Sequence, residues 1–160
     1  MKTTDERKRK ILEGFRNGLI VSCQVQKDDP IYTDDIVVKM AQAAKWAGAA
    51  GIRANSPEQI RAIKAAVDLP LIGLYKIWHD DTDAFITPTL EAARKVWEAG
   101  AEIIALDCTK QVTHEGTVAW DLLPIVKREI PEAIIFADVS NYEEAEHAVK
   151  LGADIVGPTL

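Results

Sequence analysis

The chain alternates short, almost continuously apolar stretches with longer stretches in which apolar residues recur every three or four positions. The first pattern predicts strands that are buried on both faces of a sheet, and the second predicts amphipathic helices. The predicted strands cover residues 19–24, 50–53, 71–75, 103–107, 134–138 and 154–157. This alternation indicates successive βα units and therefore a parallel α/β sheet.

Short polar residues mark where the predicted helices begin. Five helical stretches follow Thr33, Ser56, Thr87, Thr117 and Asn141. Such side chains accept hydrogen bonds from the free amides of a first helical turn, and the prolines after Ser56 and Thr87 suit that turn as well. A charged amphipathic segment, residues 4–17, ends before Gly18 in the manner of a helix. We therefore expect an N-terminal helix over residues 1–18 and a single barrel-like domain over 19–160.

A Gly-Ala junction recurs where helices end and strands begin. It stands at Gly48, Gly100 and Gly152, 52 residues apart each time, and each interval holds two βα units. Glycine readily takes the left-handed conformation that ends many helices, so the repeat indicates equivalent units. The repeat fits either a closed barrel or an open doubly wound sheet. The stretch after the first strand, SCQVQKDDPIYT, lacks a glycine-rich phosphate loop, which favours the TIM-type (β/α)8 barrel.

Counting units gives a further expectation. One βα unit takes half of the 52-residue interval. At that length per unit, a complete eightfold barrel with its N-terminal segment needs roughly 220–230 residues. The sequence holds five βα units and a sixth strand. We therefore expect a partial barrel without strands seven and eight, whose two open edges favour a homo-oligomer.

Composition narrows the classes of function. Apolar residues make up 48% and charged residues 28% of the 160 residues, as in soluble globular domains. A net charge of −6 argues against a nucleic-acid partner. The apolar stretches are strand-sized and the N-terminus is too charged for a signal peptide, so we expect a cytoplasmic protein with no membrane partner. Cys23 and Cys108 lack metal-binding spacing, which predicts packing roles.

A polar residue stands at the carboxyl end of every predicted strand. These residues are Gln24, Arg53, Lys76, Asp107, Asp138 and Thr159. Parallel barrels collect their catalytic groups at this end of the sheet. Arg53 and Lys76 follow strongly apolar strands, where an unpaired cation is costly unless an anion binds. Two alternatives stay open: the long side chains reach solvent, or they pair structurally with Asp107 or Asp138.

Several runs carry a family resemblance. They are GLIVSCQ, GIRANS, DLPLIGLYK, FITPTLEAARKVWEAGAEIIALD and ADVSNYEEAEHAVKLGADIVGPTL. In order and spacing they resemble the N-acetylmannosamine-6-phosphate 2-epimerases. The resemblance implies a (β/α)8 barrel that interconverts N-acetylmannosamine 6-phosphate and N-acetylglucosamine 6-phosphate, in amino sugar and sialic acid catabolism, without a metal or organic cofactor. It places the catalytic lysine at Lys76, the substrate-contacting arginine and aspartate at Arg53 and Asp138, and a matching glutamine at Gln24.

The chemistry of C2 inversion explains these residue types. A proton next to the carbonyl of the ring-opened sugar must be removed and then returned on the other face. The pKa of lysine in water is ~10.4, but desolvation and a neighbouring cation lower it. We therefore expect Lys76 to be the base, with Arg53 stabilising oxyanion charge and Asp138 holding a sugar hydroxyl or orienting the lysine. Asp107 and Thr159 are further expected substrate contacts.

Three departures from the family pattern bear on the substrate. Ile77-Trp78 replaces a common Arg-Asp, TKQVTHEG replaces a stretch that commonly holds Arg-Pro, and Gly157-Pro158-Thr159 replaces Gly-Thr-Thr. One alternative is a barrel enzyme acting on another phosphorylated sugar. Another is an inactive or self-associating barrel fragment, because the family's further acidic residue and phosphate-binding backbone lie on strands seven and eight.

The remaining candidate residues give weaker signals. His79, His114 and His147 are scattered and are expected to be solvated, and the HDDTD run over 79–83 lacks a completing metal ligand. We therefore expect no metal site. Trp46, Trp97 and Trp120 occupy apolar helical positions that predict packing, and Trp78 is a candidate for stacking on a sugar ring.

Overall fold

The computed structural model describes residues 4–160, so positions 1–3 of the predicted N-terminal helix lie outside it. The elements are α1 Thr4–Gly14, β1 Ile20–Ser22, α2 Ile36–Trp46, β2 Gly51–Asn55, α3 Pro57–Ala66, β3 Leu71–Leu74, α4 Leu90–Glu98, β4 Ile103–Asp107, α5 Leu122–Glu129, β5 Ile134–Val139, α6 Tyr142–Leu151 and β6 Ile155–Pro158. A single 3₁₀ turn, Ala119–Asp121, leads into α5. All of the predicted strands are present, with ends that shift by at most two residues.

The six strands form one parallel sheet in the order β1-β2-β3-β4-β5-β6. Each strand therefore lies beside its sequence neighbour. A doubly wound sheet instead reverses its strand order at a switch point. The observed order confirms the barrel-type sheet and rejects the open alternative.

Alternate residues of the strands pack on the two faces of the sheet. In β4, Ile104 and Leu106 join the outer core beneath the helices, whereas Ile103 and Ala105 join an inner core with Phe136 of β5. Helix α1 also packs on the inner core, through Ile11, Leu12 and Phe15. Continuing this alternation, residues 107 and 138 belong to the inner face, as expected for side chains near a barrel axis.

The repeated glycines end helices as predicted. Gly48, Gly100 and Gly152 have φ values of +86°, +102° and +95°, in the left-handed region. Helix α1 differs, because the left-handed residue after it is Asn17 and not Gly18. Gly18 instead permits a close approach, since a Cβ on it would lie 2.4 Å from the Cβ of Ala50.

Two of the five predicted N-caps are confirmed. Ser56 accepts from the amide of Gln59 at 3.4 Å, and Asn141 accepts from the amide of Glu144 at 3.0 Å. The predictions at Thr33, Thr87 and Thr117 are wrong, since Asp35, Thr89 and Asp121 occupy the cap positions. The three displaced threonines hydrogen-bond within loops: Thr33 to Asp35, Thr87 to Tyr75, and Thr117 to Thr113. The hydroxyls of these three threonines, which the sequence pattern predicted to cap helices, thus form loop hydrogen bonds.

Packing roles are confirmed for both cysteines and for two of the three tryptophans. Cys23 and Cys108 are free and fully buried in the outer core. Trp97 and Trp120 pack against the same core, but Trp46 is 91% exposed, which contradicts its predicted role. It is the last residue of α2, and Gln42 and Ala43, one turn before it on the same side of the helix, are exposed as well. Within residues 4–160, no helix combines the length and apolarity needed to cross a bilayer.

Candidate active site

The sheet brings the predicted strand-end residues to one end of its inner face. Arg53 and Asp138 lie within β2 and β5, and Asp107 is paired in register with Asp138 across β4 and β5. The other three follow the ends of their strands: Gln24 after β1, Lys76 after β3 and Thr159 after β6. All six have the sequence parity of the inner face, because side chains alternate along a strand.

A buried ion pair forms the centre of this group. Nη2 of Arg53 lies 2.9 Å from Oδ2 of Asp138, and the side chains are 13% and 0% exposed. The hydroxyl of Thr159 donates to the other carboxylate oxygen of Asp138, and the guanidinium lies over the Phe136 ring, 5.1 Å from its centroid. The predicted structural pairing of Arg53 is thus present. It leaves one donor spare, because buried Nη1 of Arg53 has no hydrogen-bond partner among the described residues.

Gly157 makes room for this arrangement. A Cβ on Gly157 would lie 2.2 Å from Cζ of Phe136, a distance at which the ring would have to move. Phe136 in turn supports the Arg53 guanidinium.

Burial raises the pKa of the Asp138 carboxyl, and the Arg53 guanidinium counteracts this shift.

Lys76 extends beside the ion pair without joining it. Its backbone amide donates to Oδ1 of Asn55 at 2.9 Å, which fixes the start of the loop after β3. Its ammonium lies 6.0 Å from the centroid of the Phe85 ring and has no hydrogen bond or ion pair with any described residue. Desolvation lowers the pKa of Lys76, the nearby charge of Arg53 lowers it further, and Asp138 opposes both. A lowered pKa is what a lysine needs in order to act as a base.

Asp107 is a buried carboxylate with one free oxygen. Its Oδ1 accepts from the amide and the hydroxyl of Thr109 at 3.0 and 2.7 Å. Oδ2 is buried and finds no partner in the described part of the chain, and burial raises the pKa of the carboxyl. Asp107 and Phe85 line a cavity of about 460 Å³, together with Lys110, Ser140 and Glu144. The cavity therefore adjoins the strand-end group on the side of β4 and β5.

Gln24 stands apart from the other predicted residues. Its Nε2 donates to the hydroxyl of Ser22 at 2.9 Å, while its Oε1 is buried and unpartnered within residues 4–160. Among the six strand-end residues, Gln24, Arg53 and Asp107 each have one buried polar atom without a partner in the described part of the chain. Buried polar groups normally have partners, so these atoms are suited to a polar ligand.

Sequence reasoning missed Asn55, Phe136 and Phe85. Asn55 ends β2 two residues after Arg53 and hence shares its face, a signal that the strand period alone could have supplied. The two phenylalanines had no such signal, because they resemble core residues. Trp78, a candidate for sugar stacking, stacks on Phe85 with ring centroids 3.8 Å apart and is 59% exposed.

Comparison with known proteins identifies the family. A family model described as "Putative N-acetylmannosamine-6-phosphate epimerase" matches residues 37–160. The chain belongs to this epimerase family. Two curated relatives, both named "Putative N-acetylmannosamine-6-phosphate 2-epimerase", are 43% identical in Listeria monocytogenes serotype 4b and 44% identical in Caldanaerobacter subterraneus. Both alignments cover 94% of this chain, and 65% and 63% of the two relatives respectively.

Solved structures agree with the epimerase family assignment. The N-acetylmannosamine-6-phosphate 2-epimerase from Clostridium perfringens superposes with a TM-score of 0.86 at 38% identity, over 94% of this chain and 65% of that one. An N-acetylneuraminate lyase from Mycoplasma synoviae matches with a TM-score of 0.60 at 13% identity, over 99% of this chain and 52% of that one, which supports the fold alone. The chain thus spans slightly less than two thirds of the length of its epimerase relatives.

Proposed function

We propose that this protein is an epimerase that interconverts N-acetylmannosamine 6-phosphate and N-acetylglucosamine 6-phosphate. One observation carries the proposal: a half-buried lysine, Lys76, lies beside a buried Arg53–Asp138 pair at the carboxyl end of a barrel-type sheet. Family membership supports the choice of this reaction among those that a lysine base can serve.

In this proposal Lys76 removes the C2 proton of the ring-opened sugar. The neutral amine is required for that step, and both burial and the charge of Arg53 favour it. The proton that the amine takes up makes Lys76 an ammonium, which is the acid needed to return a proton to C2. Inversion requires that this return takes place on the opposite face, so the sugar or the planar intermediate must turn, or a second acid must serve the other face.

Arg53 stabilises the negative charge that develops on the sugar oxygen as the proton leaves. Its free, buried Nη1 is the donor available for this contact, because Nη2 is occupied by Asp138. Asp138 holds the guanidinium in place, and Thr159 fixes the carboxylate. The ion pair is thus arranged before substrate binds, which spares reorganisation during the reaction.

Asp107 and Gln24 are proposed as substrate contacts. Oδ2 of Asp107 can accept from a sugar hydroxyl, and Oε1 of Gln24 can accept from a hydroxyl or from the acetamido N–H. Either contact would give a hydrogen bond to an atom that has none within the described residues. No metal or organic cofactor enters these steps, since the base and the oxyanion donor are both side chains.

The test is an interconversion assay that starts from each sugar phosphate in turn and follows both species by NMR. Wild-type protein should approach the same equilibrium mixture from either direction. Lys76→Met should lose at least about 100-fold in kcat, the lower range for removal of a positioned acid-base group. Lys39→Met is the matched control, since Lys39 of α2 is exposed and pairs with Asp35, the residue before that helix. Equal activity of the Lys76→Met and control variants would reject Lys76 as the base.

We also propose a cytoplasmic homo-oligomer. Within residues 4–160, β1 and β6 each have one neighbouring strand, and strands of this kind tend to pair with another chain. Exposed apolar side chains stand next to both edges, Leu19 before β1 and Leu160 after β6. Light scattering of the 160-residue chain should therefore give a solution mass at least twice the chain mass of 17.6 kDa, and a mass of 17.6 kDa would reject the oligomer.

A further inference from the structure

Two loops meet at the carboxyl end of the sheet, beyond the residues proposed for catalysis. The β3–α4 loop folds back as a short hairpin, with antiparallel bridges between Lys76 and Ile86 and between His79 and Thr82. The tip of this hairpin, residues 79–82, contacts the β4–α5 loop. There the hydroxyl of Thr82 donates to the carbonyl of Val112 at 2.5 Å.

Three potential metal ligands gather where the loops touch. His79 and Asp81 come from the hairpin tip, and His114 comes from the β4–α5 loop; we call them the loop-tip cluster. The two imidazole rings are parallel within 1° and their centroids lie 4.0 Å apart. Nδ1 of His114 lies 3.0 and 2.9 Å from the two carboxylate oxygens of Asp81. One ligand atom from each residue lies within 4.8 Å of the others.

We propose that the loop-tip cluster binds a divalent cation of the zinc class and thereby ties the two loops together. Two imidazoles and one carboxylate are a ligand set that suits Zn²⁺, Ni²⁺ or Cu²⁺, whereas Mg²⁺ and Ca²⁺ prefer oxygen ligands throughout. Water would complete the coordination. The sequence did not predict this set of ligands, because the HDDTD run lacks a completing ligand. His114 supplies that ligand from a different loop.

The ligand atoms lie within 4.8 Å of one another, and the two stacked imidazole rings must turn before both point at one ion. Zinc–ligand distances of ~2.0–2.1 Å place tetrahedral ligand atoms roughly 3.4 Å apart. The pair formed by His114 and Asp81 is already at 2.9 Å. Asp81 and His114 are exposed and His79 is half-buried, so their side chains can turn and an ion can reach them from solvent.

The proposed ion would restrain the hairpin that carries Lys76, the proposed base. Lys76 begins this hairpin, and Phe85, whose ring lies 6.0 Å from the Lys76 ammonium, belongs to its returning arm. A bond between the tip and the neighbouring loop would restrain both arms. The site is independent of the proposed epimerase reaction, and its test does not depend on turnover.

Calorimetric titration of the metal-free 160-residue chain with ZnCl₂ tests the proposal, at a pH where histidine (ordinary pKa ~6.5) is neutral. We expect one saturable equivalent in the wild type. His79→Ala and His114→Ala should each bind about 100-fold more weakly, since loss of even an outer-shell partner costs ~10–100-fold. His147→Ala is the matched control and should bind as the wild type does, because His147 packs against Trp120, with ring centroids 4.1 Å apart.

Two further measurements make the result decisive. Cobalt bound in place of zinc should show visible ligand-field absorption without sulfur charge transfer, because Cys23 and Cys108 are fully buried. Circular dichroism should show that both alanine variants are folded without metal, as expected for changes in exposed loops. Unsaturable binding by the wild type, wild-type affinity in His114→Ala, or equal affinity for Mg²⁺ would overturn the proposal.

Discussion

At the residue scale, the site depends on a charge balance among three groups. Arg53 and Asp138 neutralise each other within the inner face, and both charges are close enough to affect the pKa of Lys76. A buried pair contributes little net stability, but removing one partner leaves the other charge unpaired in a low-dielectric region. The pair therefore maintains a positive neighbour for Lys76 without the cost of an isolated cation.

Removing the charge of Asp138 should destabilise the protein strongly. Asp138→Asn leaves the 13%-exposed Arg53 side chain without its counter-ion, and breaking a buried pair in this way costs about 3–5 kcal/mol. The free energy of unfolding in urea measures the loss. The control is Asp68→Asn, because Asp68 forms an exposed ion pair with Lys45, and exposed pairs contribute about 0–1 kcal/mol. Similar losses in the two variants would show that the Arg53–Asp138 pair is not effectively buried.

The pH dependence of activity should report the lowered pKa of Lys76. A base acts when deprotonated, so kcat/KM should rise with pH through the pKa of Lys76 in the free enzyme. That limb should lie below the ordinary lysine value of ~10.4. Arg53→Met removes a cation that lowers this pKa and should move the limb to higher pH, whereas Arg53→Lys keeps the charge and should leave it in place. A limb that stays in place in Arg53→Met would contradict the electrostatic coupling.

At the element scale, the strands were more predictable than the helix starts. A strand buried on both faces is apolar throughout, so its extent is visible in the sequence, and the left-handed glycines at 48, 100 and 152 mark the helix ends just as plainly. Helix starts at Thr33, Thr87 and Thr117 were misplaced because loop contacts use those hydroxyls. Such contacts join residues that local pattern does not relate.

Gly73 in β3 should be required for helices to lie close to the sheet. A Cβ on Gly73 would come within 2.7 Å of Ala101 Cβ and Val96 Cγ1. Gly73→Ala should therefore cost about 1–3 kcal/mol of stability, as overpacked cores do. Gly14→Ala is the control, because a Cβ there meets nothing within 4 Å and alanine favours a helix by roughly 0.5–1 kcal/mol. Thermal unfolding that is unchanged in Gly73→Ala would show that the layers can separate without cost.

At the scale of the whole molecule, the sequence predicted which residues would share one end of the sheet but not how they would pair. Strand order and side-chain alternation suffice to place residues 53, 107 and 138 on the inner face. The pairing of Arg53 with Asp138, its Phe136 support and the contact between His114 and Asp81 all join distant segments. These contacts follow from the curvature of the sheet and the paths of the loops, which periodicity does not encode.

The central claim is that Lys76 exchanges the C2 proton of a 2-acetamido sugar 6-phosphate, and its most direct test is deuterium incorporation at C2 in D₂O. This measurement detects proton transfer itself, even where no net epimerisation accumulates. We predict that NMR will show the C2 proton signal of N-acetylmannosamine 6-phosphate disappearing with wild-type protein and persisting with Lys76→Met, while Lys39→Met behaves as the wild type. A C2 signal that persists with wild-type protein, or one that disappears equally fast with Lys76→Met, would contradict the account.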